Sequence, residues 1–131
     1  MRTFTRATKV GESYRLYLSW VQADLMVRAL RVLAEQDVPE AVLAVRLLAD
    51  REDVTGLIDR LTPPDRSPRD VTLTSRELHV IHSALVNLPL SLSTKAGVSE
   101  ERIHEETTFY RENFEGMALG LLAAVSGAAG S

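Results

Sequence analysis

Apolar positions along this chain change their period several times, and each change marks an element boundary. Residues 2–10 are rich in threonine and alternate weakly, and Gly11-Glu12 then offers a turn. Tyr14, Leu16, Leu18 and Trp20 recur every second residue, which puts all four on one side of a strand. A continuous helix from Ser13 to Gln36 fails on phase. Arg15, Ser19 and Gln22 would share one helical face, whereas Asp24, Arg28, Arg31 and Glu35 share the opposite one. The spacing therefore predicts a small N-terminal β-hairpin and then a new helix over 21–36, burying Leu25, Met26, Ala29, Leu30, Val32 and Leu33.

Two restarts follow. Asp37, Pro39 and Glu40 suit the cap, first-turn and capping-box positions of a second helix, whose body is apolar apart from Arg46. Near Asp50 the chain begins again, and Val54, Leu57, Ile58 and Leu61 follow the spacing of one helical face. Residues 62–70 hold three prolines and no apolar anchor, so they read as a loop joining two halves of a single domain over 1–131.

The second half opens on the strongest local signal. Thr74 and Glu77 form a capping box, with Leu73 and Leu78 at the hydrophobic-staple positions. Leu78, Ile81, Leu85 and Leu88 then make the buried stripe of a helix that Pro89 is expected to close. Ser99 repeats the capping logic, with Val98 and Ile103 as its staple. From there one long helix is expected to run to Ser126, leaving a disordered tail over 127–131. Its segment from Met117 to Val125 has no polar side chain on any face, so it calls for cover all round, from this chain or from a second copy. The fold class expected is α+β and mainly helical, with about five helices in one layerless core beside the hairpin.

Composition adds boundaries to this picture. Of 131 residues, 45% are hydrophobic and 25% charged, which is ordinary for a globular chain. The absence of cysteine removes disulfides, thiolate metal sites and thiol chemistry together. The opening residues lack an apolar secretory core, and the longest apolar stretch is short of a membrane span, so a cytoplasmic location is expected. The net charge of −3 is unevenly placed. Residues 1–70 carry eleven basic and eleven acidic side chains, while residues 71–131 carry four and seven.

That asymmetry bears on a resemblance. Segment 73–106 opens LTSRE, continues as an apolar helix and reaches AGVSEERI, and in this it resembles a LuxR-type helix-turn-helix. The resemblance implies a DNA-binding regulator whose recognition helix begins near Ser99. That helix would carry Glu100, Glu101, Glu105 and Glu106 against one arginine, and such a surface is repelled by phosphates. Nucleic acid is therefore not the expected partner.

Other chemistry is sparse. Glu101 and His104 stand three apart, as do His79 and His82, but the second Glu-x-x-His of a carboxylate-bridged bundle is missing. His82 borders the apolar stripe and His79 lies off it. No nucleophile-elbow or phosphate-cradling motif occurs. No catalytic residue, metal or cofactor is assigned, although an enzyme or ligand binder with a pocket between helices stays open. The leading expectation is a non-catalytic interaction or regulatory protein. Phe109, Tyr110, Phe114, Met117, Leu121 and Ala124 are its candidate self-association surface, and Glu101, Glu105 and Glu106 its candidate acidic face for a protein partner.

Overall fold

The structure, a computed structural model, describes residues 6–35, 39–47, 49–91, 93–94, 97–98 and 100–129. Strand β1 (Arg6–Val10) and strand β2 (Ser13–Leu18) form the expected hairpin. Gly11 takes φ +63, the positive first position that a two-residue type II′ hairpin loop requires. Trp20 is not part of β2. The Ser19 hydroxyl accepts from the Gln22 amide while Gln22 Oε1 accepts from the Ser19 amide, so helix α1 (Trp20–Ala34) starts immediately after the strand.

A third strand, β3 (Arg69–Thr74), pairs antiparallel with β2, so the sheet order is β1-β2-β3. The loop joining the halves is therefore shorter than sequence alone suggests. Register places Tyr14 opposite Leu73 and Leu16 opposite Val71, giving one face of buried side chains. The predicted faces of α1, apart from the half-buried Val32, and of helix α3 (Arg51–Leu61) are buried as expected, and Asp50 caps α3 by accepting from the Asp53 amide. Helix α2 (Glu40–Leu47) buries Leu43 and Leu47; Asp37 lies outside the described residues. Arg51 joins three elements, donating to Glu40 and to the Ala34 carbonyl at the end of α1.

Helix α4 (Ser75–Ser91) begins with the predicted capping box, Thr74 and Glu77 exchanging bonds of 3.0 and 3.1 Å. Pro89 does not close it. A proline near the end of a helix deletes a single backbone bond, and here the helix continues to Ser91. A two-stranded element, β4 (Ser93–Thr94) with β5 (Gly97–Val98), follows where a LuxR-type domain has its middle helix. Ser99 lies outside the described residues.

The single long helix is in fact two. Helix α5 (Glu100–Thr107) ends where Thr108 takes φ +65, and helix α6 (Arg111–Ala129) starts afresh. The break is held by the buried Thr107 hydroxyl, which donates to the Ile103 carbonyl and accepts from the Phe109 amide. Residues 127–129 continue α6 and are not a frayed tail. Among the described residues six helices and the three-stranded sheet enclose a core to which both sides of the 62–68 loop contribute, with α1 central and α6 lying across α4 and β1.

Candidate functional site

The long apolar run of α6 cannot bury all of its faces. Phe114, Met117, Ala118, Leu121 and Ala124 turn into the core, while Leu119 is 70% and Leu122 52% exposed. Full cover of Met117–Val125 is thus not supplied by the described residues. Four of the sequence-selected association residues (Phe114, Met117, Leu121 and Ala124) are spent inside the monomer. Phe109 is half-buried, edge-on to Phe114, and Tyr110 is exposed. The large apolar residues that α6 leaves outward are ones that periodicity did not single out: Leu122, and Leu119 with Val86 of α4 across the same groove.

Between α4 and α6 runs a line of two clefts. The first, about 220 Å³, is walled by Tyr14 of β2, by Ser75, Leu78, His79 and His82 of α4, and by Leu121, Leu122 and Val125 of α6. The second, about 420 Å³, continues from His82 along Val86 and Pro89, with Arg111, Glu115, Ala118 and Leu119 opposite. Wall residues ascend along α4 as they descend along α6, so the two helices run antiparallel and His82 stands between the clefts.

The chemistry of the first cleft is one-sided. Among the described residues no acidic side chain lines it, and its polar groups are a phenol, a hydroxyl and two imidazoles. The His79 ring lies 3.3 Å from the Ser83 hydroxyl. Burial holds the pKa of His82 below its ordinary value, and the neighbouring His79 pushes it the same way. Tyr14 is only 9% exposed and makes no side-chain hydrogen bond among the described residues. Sequence reasoning placed His82 beside the apolar stripe, but Tyr14 joins it only through tertiary packing, because β2 pairs with β3 and β3 packs on α4.

The other sequence-selected residues are elsewhere. Glu101 and Glu105 are exposed on α5, and the side chain of Glu106 lies outside the described ones. His104 stacks on Tyr110, ring centroids 4.4 Å apart, at the turn into α6. Among the described residues no group of three or more His, Asp or Glu is placed to hold a metal ion, and no helix is long and apolar enough to cross a membrane. Comparison with protein-family models, characterised proteins and solved structures finds no match to the chain.

Proposed function

We propose that this is a non-catalytic interaction or regulatory protein that pairs with a second copy of itself through the outward side of α6. The observation that carries this reading is the exposure of Leu119 and Leu122 on a helical face without charge from Gly116 to Ala129. A two-fold interface uses every contact twice, so two leucines per chain become four. Burying what remains exposed of each is worth roughly 1–2 kcal/mol. That sum is close to the lower estimates of the cost of association, ~4–15 kcal/mol, so the pair is expected to be weak and concentration-dependent. The exposed acidic residues Glu101 and Glu105 of α5 supply a second surface suited to a basic segment of another protein. DNA is disfavoured by the same carboxylates.

Sedimentation across a concentration series tests the pairing. A reversible monomer–dimer equilibrium is expected, shifted to monomer by Leu119→Glu with Leu122→Glu while the circular dichroism spectrum is unchanged. A chain that stays monomeric up to about 1 mM, where association free energy is only ~4 kcal/mol, would refute it.

A further inference from the structure

Tyr14 poses a question that the proposed pairing does not answer. Its ring is nine-tenths buried, yet its hydroxyl is not among the buried unpaired atoms of the described residues, so the polar end stays within reach of water and of a ligand. It has no side-chain partner among the described residues, and the residue lines the cleft between β2, α4 and α6. The other polar groups of that cleft, the Ser75 hydroxyl and the imidazoles of His79 and His82, can all donate, while Tyr14 and Ser75 also border a neighbouring cleft with Lys9, Glu12 and Arg76. Ser75 is also the first residue of the seventeen-residue α4, whose positive end favours negative charge. Opposite, Leu78, Leu121, Leu122 and Val125 offer an apolar wall, left partly open at Leu122.

We propose that this cleft binds a small amphipathic carboxylate, its carboxyl group facing Tyr14, His79 and His82 and its hydrocarbon body against the α6 wall. Size fits the class. An apolar cavity of about 150 Å³ accepts benzene, so about 220 Å³ admits a ring or short chain together with a carboxyl group. Charge fits as well. With no carboxylate among the described lining residues, an anion meets donors and no like charge there. A neutral or cationic amphiphile would leave the donors unsatisfied or repelled.

Binding is also coupled to protonation. His82 is faced by His79 on its own helix and shares the cleft with Tyr14 of β2, while Arg111 and Glu115 of α6 line the adjoining groove and bond to each other. A bound carboxylate stabilises the imidazolium, so the complex takes up a proton and tightens as pH falls through the ordinary histidine range.

The test titrates the intact protein with 3-phenylpropionate and with hexanoate, following backbone and histidine resonances, beside the neutral alcohol 3-phenylpropan-1-ol. At least one acid is expected to saturate at a dissociation constant of about 1 mM or tighter, with shifts centred on Tyr14, His79 and His82. Affinity should rise at least about threefold from pH 8 to pH 6 for the acid and stay level for the alcohol. Tyr14→Phe, which keeps the buried ring, should weaken the acid about tenfold, and His82→Gln should abolish the pH dependence. Leu122→Trp should block the cleft, and if that variant misfolds Tyr14→Phe still decides. Saturation of neither acid, an alcohol as tight as the acids, or undiminished binding by Tyr14→Phe would overturn the proposal. Self-association is read separately by sedimentation, so failure of one reading leaves the other standing.

Discussion

Helices α1 and α6 are both rich in apolar residues, yet they use them differently. In α1 the polar positions other than the capping Gln22 fall in one stripe, where Asp24 and Arg28 form an ion pair at 3.0 Å, and the remaining faces pack against α3, α4 and α5. The helix is amphipathic and fully satisfied. In α6 polar residues gather at the N-terminal end and the rest of the helix is apolar or small on every side, so one face is buried and another meets solvent. The lesson is that burial follows the fit between a helix's polar stripe and the number of neighbours it has. Apolar content without a stripe gives a face in search of cover.

The largest expected effect lies within α6, at two adjacent residues. Leu121→Glu puts an unpaired charge in the core and is expected to unfold the protein, since the penalty of several kcal/mol is comparable to the whole stability of a small domain. Leu122→Glu, one position on, should leave the thermal unfolding midpoint within a few degrees of the parent. Equal effects at the two positions would break the picture of a two-faced helix.

Next in size is a comparison across the helices. Leu30→Ala in α1 is expected to cost about 2–5 kcal/mol in denaturant unfolding. Leu119→Ala in α6 should cost less than about 0.5 kcal/mol in the monomer. Smaller still are the helix starts. Ser19→Ala removes one arm of a capping box and should cost about 1 kcal/mol. Asn113→Ala, which deletes the carbonyl accepting from the Tyr110 amide, should cost a similar amount or less.

The smallest effect is one of pH. His82 sits where α4 meets α6 with its pKa lowered by burial and then by His79. The unfolded chain therefore takes up this proton first as pH falls. Full stability is expected above about pH 6.5, with a progressive loss as pH drops below that value toward the lowered folded pKa. His82→Gln should flatten this part of the stability–pH curve, measured by denaturant midpoints.

Much of the architecture is written in local sequence. The change from strand to helix after residue 20 follows from the phase break, one residue later than the Ser19 cap places it, the start of α4 from Thr74 and Glu77, and the inner face of α3 from four spaced apolar residues. What local patterns miss is set by partners. Strand β3 has only Val71 and Leu73 as apolar anchors, too few to announce a strand until β2 lies beside it. The split at Thr108 needs a β-branched residue at positive φ, a conformation that only surrounding contacts enforce. Pattern alone also saw α6 as apolar all round without saying which side stays bare. Of the cleft, the sequence marked His82 as a boundary residue, while Tyr14 arrives from about seventy residues away through tertiary packing.

The exposed loop over 62–68 is bridged by more than peptide bonds. Arg69 donates to the Arg60, Leu61 and Thr62 carbonyls at the end of α3, and Arg60 reaches both the Thr72 carbonyl and Glu77 at the start of α4. A protease that nicks the chain between Asp65 and Ser67 would cut the string and leave the knot tied. The two fragments should stay together, and if made apart they should reassemble.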